Sequence, residues 1–158
     1  CPCGYLGDRT RTCRCSVTSV RRYLNKISGP LLDRIDIHLD VPALKTQELL
    51  SAPQGENSTM IRQRVLKTRA CQLKRFKNTP VTSNARMTPK LLKTHCSLDK
   101  ECRDLMGQAI EGLGLSARAH DKILKVARTI ADMAESEKIK PEHLAEAISY
   151  RNLDRINT

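Results

Sequence analysis

The sequence predicts a mainly α-helical fold in two parts: the end of an α/β unit over residues 1–55 and a helical domain over residues 56–158. Aromatic residues make up only 3% of the 158 residues, with one Phe and no Trp. A core built from aliphatic side chains favours helices over a sandwich or a barrel. Helix-capping residues recur beyond residue 57, whereas strict alternation of apolar and polar residues occurs over residues 35–41.

The first part begins with an irregular segment and contains one helix and one strand. Residues 1–15 are rich in Cys, Gly and Arg without periodicity, which predicts a loop or a small knuckle. A short helix is predicted over residues 18–27, and the Ser-Gly-Pro triplet at 28–30 ends it. The alternation over residues 35–41 predicts a half-buried strand, which Pro42 ends.

The predicted strand has no predicted neighbour. One strand and one helix cannot form a stable sheet domain, because a strand needs neighbours to satisfy its backbone hydrogen bonds. We therefore expect residues 1–42 to be the end of a larger α/β domain, and the sequence to be a fragment. Residues 51–57 are turn formers with little apolar content, so the boundary between the two parts is predicted there.

Beyond that boundary every segment predicts a helix, five in all. A capping side chain or a proline in the first turn marks each start: Asn57 or Ser58, Thr88 with Pro89, Ser97 or Asp99, Ser116, and Pro141. The expected ends lie near Phe76, His95, Leu113, Ser136 and Arg151. Gly112 and Gly114 close the third helix. Residues at helical spacing form an apolar face on the fourth helix: Ile123, Ala127, Ile130, Ala131 and Ala134.

Most of the net charge of +11 lies in the first of these helices. Residues 57–78 carry seven basic side chains and no acidic one. At about 100° per residue, one broad face is apolar, with Ile61, Val65, Leu66, Leu73 and Phe76. The opposite face carries Arg64, Lys67, Lys74 and Arg75. This basic face is expected either to contact DNA phosphates or to be an ordinary solvated surface. Arg62 and Arg69 interrupt the apolar face, which predicts a junction between the two parts or between subunits.

Membrane and exported classes are excluded by the apolar pattern. No run approaches the roughly 18 apolar residues of a membrane span. No apolar segment near the start follows a basic one, as it would in a signal peptide. We therefore expect a cytoplasmic protein without a membrane partner.

Four early cysteines are a candidate zinc site. Cys1 and Cys3 form one Cys-x-Cys pair, and Cys13 and Cys15 form another. Thiolates clustered in a polar, Gly-containing loop suit tetrahedral Zn²⁺, although the usual spacing is Cys-x-x-Cys. Free reduced thiols are the competing interpretation. Disulfides are disfavoured, because three later cysteines leave an odd count. Those three are predicted to be small core residues: Cys71, Cys96 and Cys102.

Several separated motifs resemble those of one family, magnesium-chelatase-like AAA+ ATPases of the ComM/YifB type. The first motif, Ser-Gly-Pro-Leu-Leu-Asp-Arg-Ile-Asp, occupies residues 28–36. The Cys-Pro-Cys-Gly segment at 1–4 precedes it. Further matching segments follow in the same order as in the family: 114–119, 123–132 and 141–143. The resemblance implies the last part of a nucleotide-binding core, followed by a helical lid, in an ATP- and Mg²⁺-dependent enzyme that self-associates into a hexameric ring.

Two arginines are the catalytic candidates that the resemblance implies. Arg34 matches the arginine finger, which acts in trans on a neighbouring subunit's nucleotide. Guanidinium is planar and permanently charged, which suits bidentate contact with phosphate oxygens. By residue type alone, a surface arginine paired with Asp33 or Asp36 is the commoner outcome. Arg118 matches the sensor-2 arginine, which reaches from the lid toward the γ-phosphate of the same or a neighbouring subunit.

Lys122 and Lys125 extend a basic stripe that begins at Arg118 on the same helix face. The stripe is expected either to lie next to the nucleotide or to be a solvated face. The sequence contains no Gly-x-x-x-x-Gly-Lys-Ser/Thr phosphate loop and no apolar strand ending in paired acids for Mg²⁺. We therefore expect these residues alone neither to bind ATP tightly nor to hydrolyse it.

The function that the resemblance implies is ATP-driven action on DNA, as a helicase or in branch migration during DNA uptake or recombination. One alternative is a magnesium-chelatase-type motor subunit, which drives metal insertion into a porphyrin through a partner protein. Another is an independent, zinc-dependent module that binds nucleic acid. Salt-sensitive DNA affinity separates the first function from the second, and metal analysis tests the third.

Overall fold

The computed structural model describes residues 1–8, 11–41, 44, 50, 51 and 55–151. Within these ranges seven α-helices are defined. Two belong to the first part, namely α1 (Val17–Leu24) and α2 (Gly29–Leu32). Five belong to the second part: α3 (Ser58–Arg75), α4 (Pro89–His95), α5 (Lys100–Leu113), α6 (Ala117–Met133) and α7 (Pro141–Ser149). A 3₁₀ turn, Asn84–Arg86, lies between α3 and α4. The mainly α-helical fold class is confirmed.

The helix starts of the second part follow the predicted caps. Asn57 accepts a hydrogen bond from the Met60 amide at 2.9 Å and caps α3. Asp99 and Ser116 cap α5 and α6 in the same way, each satisfying an amide that has no partner inside the helix. Gly114 ends α5 with φ of 62°, a left-handed conformation that glycine adopts without strain.

The hydrophobic core lies entirely in the second part. Among the described residues, every buried apolar side chain lies between Phe76 and Ala147. Helix α6 is at its centre and packs against α3, α4, α7 and the 3₁₀ turn. Ile123, Ala127 and Ala131 are almost completely buried, as their helical spacing predicts. Ala134, predicted on the same face, is exposed, because α6 ends at Met133 and the chain turns away there.

The strand predicted over residues 35–41 is not formed. These residues lie outside any helix or strand, and no described residue belongs to a β-strand. Their backbone groups pair instead with the end of α7. The His38 amide donates to the Tyr150 carbonyl at 2.8 Å, and the Arg151 guanidinium donates to the Ile35 carbonyl. Alternation gives a segment an apolar side, but a β-strand also needs a neighbouring strand for its backbone hydrogen bonds. The side chains of Leu39 and Val41 accordingly remain exposed.

The buried side of α3 also differs from the prediction. Four of the five side chains on the predicted apolar face are about half exposed: Ile61, Val65, Leu66 and Leu73. Only Phe76 is buried. The helix turns Thr68 and Gln72 inward instead. The reason is a polar network, described below, that binds this side of α3 to α6.

Among the described residues, no helix combines the length and the apolar content needed to cross a bilayer.

Candidate functional site

The segment after α2 is fastened to the start of α6 through Asp33. This carboxylate accepts a hydrogen bond from the Ser116 hydroxyl at 2.8 Å and one from the Arg118 guanidinium at 3.2 Å. The buried guanidinium of Arg151 lies 3.7 Å from it. Asp33 therefore links the segment after α2 to both α6 and the end of α7.

Two lysines of α6 hold the neighbouring backbone. The Lys122 ammonium donates to the Arg34 carbonyl at 2.6 Å and forms an ion pair with Asp36. The Lys125 ammonium donates to the Ala85 carbonyl of the 3₁₀ turn at 3.1 Å. The basic stripe of α6 is therefore not simply a solvated face, because these two lysines hold other segments against the helix.

The side chain of Arg34 differs from those around it. Its backbone is held by Lys122, yet its guanidinium has no hydrogen bond or ion pair with any described residue. The two carboxylates that would be its local partners are engaged elsewhere, Asp33 with Arg118 and Asp36 with Lys122. The geometry argues against an ordinary local pair. Arg34 presents an uncompensated, exposed positive charge.

Arg34 and Arg118 line one open cleft of about 540 Å³. The cleft brings together all four predicted nucleotide-contact residues and two carboxylates: Arg34, Arg118, Lys122, Lys125, Asp36 and Asp121. Positive charge is in excess. With four cationic side chains against two carboxylates, the cleft suits an anion.

The chemistry available at this cleft is phosphate contact. Guanidinium groups bind phosphate oxygens through two parallel N–H donors. The side chain of Arg118 is 54% exposed in its pair with Asp33, and exposed pairs of this kind contribute little stability. Exchanging Asp33 for a phosphate therefore costs Arg118 little, and Arg34 has no partner to exchange among the described residues.

A second cluster of charges is buried between α3 and α6. The Asp132 carboxylate is fully buried and lies 2.5 Å from the Arg75 guanidinium and 3.0 Å from that of Arg128. The Asn84 amide donates to it at 2.8 Å. Burial alone would raise the pKa of Asp132, but hydrogen bonds from Arg75 and Asn84 outweigh this effect and lower it. Arg75, predicted to contact DNA, is thus engaged in a largely buried ion pair.

The other residues of the predicted DNA-contact face remain at the surface. Arg64 forms an ion pair with Glu56 at 3.0 Å, and Lys67 forms one with Glu135 at 2.6 Å. Lys74 is exposed and has no partner among the described residues. Of the four predicted cations, Lys74 alone is thus free of an acidic neighbour within the described ranges.

The four early cysteines converge. Their sulfur atoms all lie within 4.8 Å of one another. Cys3 is exposed, and the other three, Cys1, Cys13 and Cys15, are half-buried. Hydrogen bonding from the Tyr5 backbone lowers the pKa of the Cys3 thiol from 9.0 to about 7.

The later cysteines divide into two kinds. Cys96 and Cys102 are buried core residues, as predicted, and burial raises the pKa of each thiol to about 11. Cys71 was predicted to be buried but is exposed, because α3 packs on the side that carries Thr68 and Gln72.

Several residues that assemble these sites were not identified from the sequence. Asn84, Arg128, Asp132 and Arg151 are all buried polar residues. One signal was available for two of them. Arg128 and Asp132 are four residues apart next to the apolar stripe of α6, where an opposite-charge pair forms readily within a helix. Nothing in the sequence indicated that Arg75 would complete the pair.

Two models of one family match the chain. Magnesium chelatase subunit ChlI matches residues 1–49, and the C-terminal region of the same subunit matches residues 55–151. Competence protein ComM of Haemophilus influenzae is 39% identical over 153 residues. The uncharacterized protein YifB of Escherichia coli is 41% identical over 154 residues. Each alignment covers 96% of this chain, which spans 29% of the length of either relative.

Proposed function

Because the chain belongs to the magnesium chelatase subunit ChlI family, within its ComM/YifB branch, we propose that it forms the C-terminal part of a ring-forming ATPase acting on DNA. Arg34 and Arg118 contact the nucleotide bound by a neighbouring subunit. One observation carries this proposal: the guanidinium of Arg34, which has no partner in the part of the chain that the structure describes, lines the same cleft as Arg118.

The shared cleft supports action in trans by both arginines. The sequence holds no phosphate loop, so the triphosphate and its Mg²⁺ are held elsewhere in the ATPase. Because both arginines line one cleft, a single nucleotide bound there contacts both. If Arg34 reaches across a subunit interface, Arg118 in the same cleft does so as well.

The two arginines have different tasks in this proposal. Arg34 stabilises the negative charge that is spread over the γ-phosphoryl oxygens during transfer. Arg118 lies at the start of α6, the central helix of the lid, so its contact with the nucleotide fixes the lid relative to the neighbouring subunit. Lys122 positions Arg34 by holding its carbonyl oxygen.

We expect Arg118→Ala to lower ATP turnover of the full-length ATPase by about 100-fold, the effect of losing one pre-placed donor to a transition-state oxygen. Steady-state hydrolysis and nucleotide affinity are the measurements. Arg103→Ala is the control, because Arg103 is an exposed arginine on α5 whose recorded hydrogen bond goes to the nearby Leu98 carbonyl. Unchanged turnover and unchanged affinity in Arg118→Ala would contradict the assignment.

Contact with DNA is proposed for the exposed basic face of α3. Residues 57–78 hold seven basic and no acidic side chains, and non-specific DNA binding needs only positioned cations. Lys74 is the strongest candidate, because Arg64 and Lys67 each have an acidic partner and Arg75 is part of the Asp132 network. With aromatic residues at 3% of the sequence, stacking on bases is not the mode of contact.

We expect Lys74→Glu to weaken DNA affinity several-fold. The slope of log affinity against log salt concentration should become shallower by about one, the value for one lost phosphate contact. Titration of labelled duplex at several salt concentrations measures both. Lys90→Glu makes the same change of charge on α4 and is expected to have a smaller effect. Equal effects from the two variants would show that total charge, not the α3 face, governs binding.

The porphyrin-metalation alternative predicts a different outcome of the same titration. A motor subunit that acts through a partner protein has no need of DNA. Absence of salt-sensitive DNA binding in the full-length assembly would contradict the DNA proposal and favour this second function.

A further inference from the structure

The N-terminal cysteine cluster has the geometry of a metal site. We propose that Cys1, Cys3, Cys13 and Cys15 together bind one Zn²⁺, and that this ion orders α1 and the described residues before it. The inference is independent of the ATPase proposal, since none of these residues lines the Arg34 cleft.

The distances between the sulfur atoms support a tetrahedral tetrathiolate. With Zn–S bonds of about 2.3 Å, the edge of the tetrahedron, which is the S···S distance, is about 3.8 Å. The Cys1 and Cys3 sulfurs are 3.4 Å apart, and each lies 3.6 Å from the Cys13 sulfur. These separations are far longer than a disulfide bond of about 2.05 Å. The sulfurs thus need to move only slightly to surround an ion.

The backbone of the loop is arranged around the sulfurs. Gly4 and Gly7 have φ of 82° and 80°, which only glycine adopts without strain. They allow the chain to turn sharply after Cys3, and the Leu6 amide donates to the Cys1 sulfur at 3.2 Å. Hydrogen bonds from backbone amides to ligating atoms are the usual second layer of a metal site.

The described residues before α1 and in α1 share no hydrophobic core. None of the described residues from 1 to 41 is a buried apolar residue. Helix α1 has eight residues and buries none of them, and isolated helices shorter than about 12 residues are marginal in water. The N-cap of the helix, Ser16, directly follows Cys15. A metal bound by Cys15 would therefore fix the start of α1 in place.

The chemistry of the site is consistent with the charges nearby. Binding of Zn²⁺ by four thiols releases four protons and leaves a centre of net charge −2, without any redox change. Arg11 and Arg14 lie in the same loop and offset part of this charge. Four thiolates select a soft or borderline ion such as Zn²⁺ over Mg²⁺.

Metal analysis of the chain, purified under reducing conditions from zinc-supplemented cells, tests the proposal. We expect one zinc per chain, and loss of that zinc in the double variant Cys3→Ser/Cys13→Ser. Cys71→Ser is the matched control, because Cys71 is an exposed cysteine on α3, and this variant is expected to keep its zinc. Absence of zinc from the unaltered chain, retention by the double variant, or iron in its place would overturn the assignment.

Amide hydrogen exchange before and after chelation tests the ordering role. We expect removal of the metal to speed exchange in α1 and to leave α6 protected, because α6 belongs to a separate core. The same measurement on Cys3→Ser/Cys13→Ser should also show α6 protected, which demonstrates that the double variant folds. If zinc leaves and exchange in α1 does not change, the metal does not order this segment.

Discussion

Replacement of Arg34 by Ala is expected to lower ATP turnover of the full-length ATPase by about 1,000-fold or more, the range in which an arginine finger acts. Nucleotide affinity should change little, because the charge that Arg34 stabilises develops only in the transition state. Arg34→Lys should restore little of the loss, since an ammonium group cannot make the bidentate contact. Steady-state and single-turnover hydrolysis measure the effect.

Thermal stability separates this role from a structural one. The Arg34 side chain has no partner among the described residues, so its removal should leave the melting temperature of the chain unchanged. Arg22→Ala, on the exposed surface of α1, is the control and should hydrolyse ATP normally. Normal turnover in Arg34→Ala would refute the finger assignment.

Asp132→Ala is expected to destabilise the helical domain by about 3–5 kcal/mol, the cost of removing one partner from a buried ion pair. The variant leaves the guanidinium groups of Arg75 and Arg128 without their shared counter-charge, and the Asn84 amide without its acceptor. Urea denaturation of the chain measures the loss. Asp104→Ala removes an exposed carboxylate of α5 and should have little effect. A similar small effect for both variants would contradict a structural role for Asp132.

The same network makes stability depend on pH in the acid range. The pKa of Asp132 in the folded chain is below its ordinary value of 3.8, so the folded state binds the proton more weakly than the unfolded state does. The contribution of Asp132 is therefore fully present above about pH 4, the unfolded pKa. It is lost as pH falls through the lower folded pKa. The difference in unfolding free energy between the unaltered chain and Asp132→Ala should accordingly narrow below pH 4.

Local signals in the sequence were sufficient for the helical domain. The caps Asn57, Asp99 and Ser116 each satisfy an amide three residues away, so their effect does not depend on the rest of the fold. The stripe Ile123, Ala127 and Ala131 was equally predictable, since α6 is surrounded by other helices and its apolar face can point only inward.

The choice of the buried face of α3 could not be made locally. Its apolar side chains favoured one face, but Arg75 binds Asp132 of α6, a residue far along the chain, and that buried contact turns Thr68 and Gln72 inward. The sequence therefore predicted Arg75 on a DNA-contact face, whereas in the structure its guanidinium pairs with the buried Asp132. The strand prediction over residues 35–41 was wrong for a related reason, because periodicity says nothing about whether a pairing neighbour exists.

The residues of the candidate cleft could be named from the sequence, but the ion pairs between them could not. The resemblance identified Arg34 and Arg118 separately. No feature of the sequence indicated that Asp33 and Asp36 would be engaged by Arg118 and Lys122, which leaves Arg34 without either of these two partners. In the same way, the spacing of the cysteines was a weak signal for a metal site, and it did not indicate that all four sulfurs would lie within 4.8 Å of one another.

ATP hydrolysis by mixed assemblies tests the central claim most directly. Subunits carrying Arg34→Ala or Arg118→Ala are each mixed with subunits whose phosphate-binding loop is inactivated, and the two arginine variants are mixed with each other. If both arginines serve the neighbouring subunit's nucleotide from one cleft, turnover reappears in the first two mixtures but not in the third, where every cleft lacks one arginine. Turnover in the third mixture, or none in the first, would contradict the account.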